Sequence, residues 1–357
     1  MQQLETFYES TPKAVGYVER RYDIPSYTLN LYGPPRSGKT WLALDHLSRI
    51  PKKRHLYIDL RDLRVEPEKL FGQLQEFIDA HGIETVVLDH FSGDWPLPRC
   101  RQCIVVTDAP YAANPFMPKL EILPLDFEEY LAFEKRHIHL EHSFSLYLRT
   151  GSLPAMAQEH ESLLTMRLHE TVRALFPAEN ERLLFRFLAK FQGKPVTAHQ
   201  LYTLMKKETK VSKDWLYDRL KTWEAKGVLE WFAKLGHPRA ARRALLFDFA
   251  LPASLHFEKS LMGQLYTLAA KKMHRIAPET AWTDALDLYD PASRHAVLLS
   301  PFANQQSAAA KVAGLVAEID RLAVRRITIL TVANAFTFRF DGVPVTAKPF
   351  YEWILEE

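Results

Sequence analysis

Gly33-Pro34-Pro35-Arg36-Ser37-Gly38-Lys39-Thr40 is the stretch on which the reading of this chain turns. The octet fits G-x-x-x-x-G-K-[ST] without a gap, and each residue type has a chemical reason. Gly33 and Gly38 let the backbone turn so that successive N–H groups point at one anion beside a helix N-terminus. Pro34, Pro35, Arg36 and Ser37 form the loop between them. Lys39 brings a point charge to the β- and γ-phosphates of a nucleoside triphosphate, and the Thr40 hydroxyl suits Mg²⁺. The bare pattern occurs by chance in long chains, so its context decides. Tyr27–Tyr32 reads as a strand before it, and Thr40–Ile50 as a helix after it, stopped by Pro51. ATP with Mg²⁺ is the expected ligand.

The other half of such a site is an acid at the end of a buried strand. Asp89 closes Thr85-Val86-Val87-Leu88 and suits a water-mediated Mg²⁺ ligand; a turn or cap aspartate is the plainer reading. His90 follows, where many ATPases of this architecture place the Glu that polarises the attacking water. Glu84 precedes the strand and is badly placed to replace it. Binding is therefore expected and hydrolysis is left open. Thr107, at the end of Cys103–Thr107, is a candidate for contacting the γ-phosphate or orienting water, with an ordinary strand-end threonine as the alternative. Asp59 and Asp62 are assigned capping only.

Outward from the loop, short apolar runs alternate with amphipathic stretches over about the first 125 residues. That alternation predicts an α/β fold, a mostly parallel sheet covered by helices. His55–Leu60 reads as a second strand and Glu68–His81 as a helix with apolar residues at helical spacing. After Leu125 the pattern turns helical, with helices expected over Phe127–Arg136, Glu141–Arg149 and Glu159–Leu175.

The order of these motifs resembles the prokaryotic AAA-type ATPases of the archaeal-ATPase-like group. Ile122-Leu-Pro-Leu-Asp-Phe-Glu-Glu-Tyr-Leu-Ala-Phe133 is similar to that group's "pro-leu-x-phe-x-glu-tyr-leu" segment, matched by Pro124, Leu125, Phe127, Glu129, Tyr130 and Leu131. Tyr147-Leu-Arg-Thr-Gly-Ser-Leu-Pro154 is similar to its "tyr-leu-x-x-gly-gly-x-pro" turn, with Ser152 replacing the second glycine. The resemblance covers residues 20–250 well and the tail more weakly. It implies a P-loop NTPase domain of AAA-like type, a helical lid, a winged helix, and a C-terminal α/β domain similar to restriction-endonuclease folds. Two departures stand out: Asp89-His90 replaces an acidic pair, and Pro118-Lys119 lies near the place of the missing Gly-Arg. The expected boundaries are 1–135, 136–176, 177–252 and 253–357.

Within 177–252, helices are expected over Ala178–Phe191, Ala198–Lys206 and Ser212–Lys226, then strands Val228–Lys234 and Leu245–Phe249 around a basic turn, the winged-helix order. Residues 181–250 hold 15 Lys+Arg against 7 Asp+Glu, so this segment concentrates positive charge in a chain of net charge +3 and favours a polyanionic partner. Lys213, Tyr217 and Lys221 recur at i, i+4 and i+8 and share one helix face, while Arg239, Arg242 and Arg243 lie in or beside the turn. These six are the candidates for double-stranded DNA. A protein–protein module, made with itself or another protein, or a solvated basic face would have the same composition.

The tail reads as helix Leu261–Lys272, strands Ala285–Tyr289 and Ala296–Leu299, helix Ala308–Leu322, strand Ile327–Val332 and a short apolar helix or turn over Pro349–Leu355. A nuclease needs Asp on one strand and Glu-x-Lys on the next. Asp287 supplies a first acid, but Ala296–Pro301 contains neither partner, so a retained fold without cleavage is expected. Cys100 and Cys103 are half a zinc spacing without a second pair, and His137, His139 and His142 read as a solvated loop. No apolar run approaches the roughly 18–20 residues of a membrane span. The N-terminus lacks a signal-peptide pattern, and two cysteines make no disulfide framework. A cytoplasmic protein with no membrane partner is expected. A small-molecule kinase would need an arginine-rich lid, which the sequence after the core strands does not supply.

Overall fold

The computed structural model describes residues 2–14, 16–93, 95–134, 139–256 and 260–356. The chain divides into two compact units. The first comprises Met1–Phe133 with Leu153–Ala155 and Ala225–Val228; the second comprises Glu134–Ser152, Met156–Glu224 and Leu229–Glu357.

The first unit holds α1 (Gln2–Glu9), β1 (Leu29–Tyr32), α2 (Lys39–Ser48), β2 (His55–Asp59), α3 (Pro67–His81), β3 (Thr85–Asp89), β4 (Gln102–Val106), β5 (Lys119–Glu121) and α4 (Phe127–Phe133). Its five strands form one parallel sheet in the order β2-β3-β4-β1-β5, so β4 lies between the strand leading into the loop and the strand ending at Asp89. The near-continuous apolar runs follow from burial on both faces. Leu56, Ile58, Val86, Leu88, Cys103 and Val105 pack with Leu70, Leu74, Phe77 and Ile78 of α3. Their alternates Tyr57, Val87, Ile104 and Val106 pack with Leu42, Ala43, Leu44 and Leu47 of α2. The period of two thus assigns one helix to each face.

The second unit holds α5 (Leu140–Thr150), the end of α6 (Pro154–Ala157), α7 (Glu161–Leu175), α8 (Glu179–Lys190), β6 (Pro195–Val196), α9 (Ala198–Glu208) and α10 (Lys213–Ala225). It continues with β7 (Leu229–Phe232), β8 (Arg242–Leu246), α11 (Ala250–Ser254), α12 (Leu261–Ile276), β9 (Leu288–Asp290), β10 (His295–Leu299), α13 (Gln305–Ala313) and α14 (Val316–Leu322). Last come β11 (Arg326–Thr331), β12 (Phe336–Phe340), β13 (Val343–Pro349) and α15 (Phe350–Trp353). β7 and β8 form an antiparallel pair where two strands were expected, but β8 begins three residues before the expected Leu245 and ends at Leu246, which takes Arg242 and Arg243 out of the turn and into the strand. β6, a two-residue strand that the sequence does not announce, pairs with β8. The helix expected over Ala308–Leu322 is two helices, since Gly314-Leu315 breaks it. β12 and β13 were not anticipated. They form a hairpin about Asp341-Gly342, at φ 47° and 82°, the two positive values a tight type I′ turn requires. The five-stranded sheet β12-β13-β11-β10-β9 that results is mixed.

The glycine turn singled out by resemblance has a physical explanation within this unit. Gly151 sits at φ 83°, and a Cβ there would lie 2.4 Å from Asp248 Oδ2. Asp248 is fully buried and accepts from Ser152 N (2.6 Å), Ser152 Oγ (2.9 Å), Ala250 N (2.9 Å) and Leu251 N (2.8 Å). Burial raises its pKa while these N–H donors oppose the shift. Ser152, where a glycine was expected, contributes a hydroxyl to the same carboxylate.

Candidate functional site

The loop is shaped by backbone demands that only its sequence meets. At Gly33 (φ 144°) a Cβ would stand 2.2 Å from the Ile122 carbonyl oxygen, so no side chain fits. Gly38 takes φ 98° at the N-terminus of α2, and Arg36 takes φ 66° and points to solvent. Pro34 and Ser37 are buried, Pro35 half-buried, and Ser37 N donates back to Pro34 O at 3.3 Å, closing the turn.

Lys39 and Thr40 open α2 and converge on the ends of neighbouring strands. Lys39 Nζ donates to the carbonyl oxygens of Gly33 and Pro34, both at 2.8 Å, and lies 3.2 Å from Asp108 Oδ1. Burial lowers the Lys39 pKa, and Asp108 opposes that shift. Thr40 Oγ1 donates to Asp89 Oδ2 at 2.7 Å. Asp89 has no exposed surface; the same oxygen accepts from Tyr57 Oη at 2.8 Å, and Oδ1 accepts from His90 N at 2.8 Å. Burial, then the Asp89 charge, pushes the Tyr57 phenol well up, so it stays a donor. Among the described residues Ser37 Oγ is buried without a hydrogen-bond partner. A buried hydroxyl left unpaired costs roughly 1–3 kcal/mol, so the loop has an unsatisfied group where an anion would be cradled. A carboxylate and hydroxyl at 2.7 Å beside a buried ammonium are the hard oxygen donors and charge that Mg²⁺ and phosphate need.

His90 follows Asp89 in a left-handed backbone conformation, φ 55°. Its Nδ1 lies 2.8 Å from Asp59 Oδ1, which also accepts from Arg61 N at 2.9 Å. Asp59 thus holds the residue that stands where a glutamate was expected, beyond the capping role assigned to it. Asp62 is engaged by Arg64. Thr107 Oγ1 donates to Ala109 O at 2.6 Å and accepts from Asn30 Nδ2 at 2.9 Å. Glu84 pairs with Arg54 and Arg101.

Three residues to which the sequence reading gives no role pack around the loop. Asp108 was findable, since it directly follows Thr107 at a strand end; its other oxygen lies 3.7 Å from Arg61. Glu129 belongs to the Pro-Leu segment singled out by resemblance but carries no assigned role there, and Arg20 gives no local signal. The Arg20 guanidinium is buried and makes a two-pronged pair with Glu129 at 2.8 and 3.0 Å. It also donates to Ser37 O at 2.7 Å and Leu123 O at 2.8 Å. The glutamate of the Pro-Leu segment therefore holds an arginine that donates to the backbone of the Gly33–Thr40 loop.

In the second unit, Lys213, Tyr217 and Lys221 are all exposed on α10, whose other face buries Leu216, Leu220 and Trp223. Arg239 is exposed in the β7–β8 turn. Arg242 is exposed but lies over the Trp231 ring at 4.6 Å. Arg243 is held between the Tyr266 and Trp282 rings at 4.3 and 4.6 Å. The six candidates thus split, with Arg243 packed rather than presented. Asp287 Oδ2 accepts from Leu299 N at 2.9 Å and faces Lys311 at 4.0 Å. Cys100 donates to Gln102 O, and burial pushes the Cys103 thiol up. His139 and His142 are exposed, and His137 lies outside the described residues. Among the described residues no three His, Cys, Asp or Glu side chains cluster to hold a metal, and no helix is long and apolar enough to cross a membrane.

No family model matches the chain, and no curated protein matches it. It is similar to a solved structure of the Aeropyrum pernix ORC1 protein in complex with DNA, at 13% identity and a TM-score of 0.35, over 71% of this chain and 91% of that one. A TM-score that low assigns neither activity nor partner, so the site is read from its own atoms.

Proposed function

We propose that the chain is an AAA-like P-loop protein that binds ATP with Mg²⁺ at Gly33–Thr40 and Asp89, and that nucleotide state sets a winged-helix module, residues 177–252, on duplex DNA. The observation that carries the nucleotide half is the convergence of Lys39 Nζ, Thr40 Oγ1 and buried Asp89 around a loop whose Ser37 hydroxyl lacks a partner. The Mg²⁺–triphosphate supplies charge and the bond to be broken. Lys39, which now donates to two carbonyls and faces Asp108, would hold phosphate oxygens, and Thr40 and Asp89 would hold the metal. Arg20 keeps the loop backbone aimed. The exposed Lys213, Tyr217, Lys221 and Arg239 support the DNA half.

A second function, a nucleotide-held scaffold without turnover, is favoured by one feature: His90, not Glu, follows Asp89 and is already held by Asp59. ATP binding and phosphate release with Mg²⁺, with and without duplex DNA, beside Lys39→Ala, test both. Release that rises with DNA and vanishes in the variant supports the ATPase. Binding that is lost in the variant, with no release from either protein, supports the scaffold. Absence of ATP binding by the unaltered chain sinks both.

A further inference from the structure

The C-terminal sheet carries a polar stripe where its neighbours are apolar. Ile327, Ile329, Val345 and Ala347 pack into one core, against α13 and α14. Their alternates Arg326, Thr328, Thr346 and Lys348 fall on the other face, with Thr328 and Thr346 in register. A strand covered on both sides is ordinarily apolar on both. Here the polar side opens on a cavity of about 860 Å³, which Lys272 of α12 and His295 of β10 also line. That volume lies within the range of small-molecule sites.

The polar groups in this cavity are sorted by charge. Arg326 donates to His295 Nδ1 at 3.0 Å, and His295 Nε2 lies 2.8 Å from Thr328 Oγ1. An acceptor at Nδ1 places the imidazole proton on Nε2, so His295 is neutral and Thr328 keeps its own proton to donate. Asp290 accepts from Ala292 N, Ser293 N and the Ser293 hydroxyl of its own turn, and Glu279 is exposed. Glu356 pairs with Lys348 at 2.6 and 2.8 Å, and Lys272 Nζ donates to the main-chain carbonyls of Trp353, Ile354 and Glu356. Among the described residues no carboxylate lies within ion-pair distance of Arg326.

We propose that this cavity binds a small phosphate monoester, its dianion held by Arg326, Lys348 and the Thr328 and Thr346 hydroxyls after displacing the Glu356 carboxylate. Arg326 offers a planar fork suited to phosphate, and Lys348 a point charge that Glu356 now occupies. The site is separate from the phosphate loop and does not rest on it.

The test follows the His295 side-chain ¹⁵N resonances of the full chain during titration with glycerol 3-phosphate, with inorganic phosphate as a second probe. The Lys39→Ala background removes the loop's contribution. A saturable shift should persist there and be lost in Arg326→Gln and in Lys348→Gln, both at exposed or half-buried positions. Glu356→Gln should tighten binding about 2- to 5-fold, the worth of a partly exposed ion pair. No saturable shift, a shift that survives both cation substitutions, or weaker binding in Glu356→Gln overturns the proposal.

Discussion

Replacing Glu129 with Ala should destabilise the first unit severely, although Glu129 touches no candidate ligand. Arg20 and Glu129 are 2% and 5% exposed at the side chain and share two hydrogen bonds. Without the carboxylate, Arg20 retains two carbonyl acceptors, Ser37 O and Leu123 O, and a buried charge with no counterion. Breaking a buried pair from one side costs about 3–5 kcal/mol, because the remaining ion is already desolvated. For a unit of this size that is a fall in Tm of about 10–15 °C. The assay is urea unfolding followed through Trp41 and Trp95, with an ATP titration alongside. A second variant separates folding from function: Arg20→Met with Glu129→Leu removes both charges and should recover most of the stability, as such swaps are often neutral. It should not recover ATP binding, since nothing then holds the Ser37 carbonyl. A loss below about 1 kcal/mol in Glu129→Ala would mean that water reaches Arg20, and would refute the buried-pair account.

Gly33→Ala should cost at least about 2–3 kcal/mol and abolish ATP binding, because the added methyl meets backbone at Ile122 and not a movable side chain; thermal unfolding at wild-type Tm would contradict this. Arg239→Ala should lower the salt slope of duplex binding by about 1, whereas Arg243→Ala should leave the slope unchanged and cost about 1–2 kcal/mol of stability from its two ring contacts. Burial and then the Arg326 charge push the His295 pKa down to about 4. Between pH 6.5 and 4 the unfolded chain binds the extra proton, so His295 should contribute up to about 3 kcal/mol of stability above pH 6.5 that is lost as pH falls toward 4. Urea unfolding at pH 7.5, 6 and 5 checks it; His295→Gln should flatten this part of the pH dependence.

What the sequence made legible was local. The loop, the strand ending at Asp89 and the helices α2 and α3 could be read because spacing within one segment determines them. The hairpin β12–β13 is equally local, with Phe336, Phe338 and Phe340 alternating before Asp341-Gly342. β6 was different: two residues have no periodicity, and Pro195–Val196 is a strand because Arg242 and Arg243 pair with it. Arg20 and Glu129 lie 109 residues apart and meet only once the sheet has formed. The Gly-Arg expected from resemblance near Pro118 is absent, yet an arginine does grip the loop, and it comes from the other side of the motif in sequence.

Charge shows the same limit from the opposite direction. Counting 15 basic against 7 acidic residues over 181–250 treats every cation as available to a polyanion. Folding removes several from that count. Arg219 pairs with Glu181 at 2.7 Å, Lys234 with Asp284 at 2.5 Å, and Arg243 is enclosed by two aromatic rings. Asp214 and Asp218 are exposed on the same helix as Lys213 and Lys221, so that face is not purely basic. If Lys213, Lys221, Arg239 and Arg242 are the cations that reach phosphates, duplex affinity should fall with log salt at a slope of about −3 to −4, not the −7 that a net excess of eight would give. A slope near −7 would mean that the cations now paired or stacked within the fold are released on binding, and so that the module rearranges on DNA.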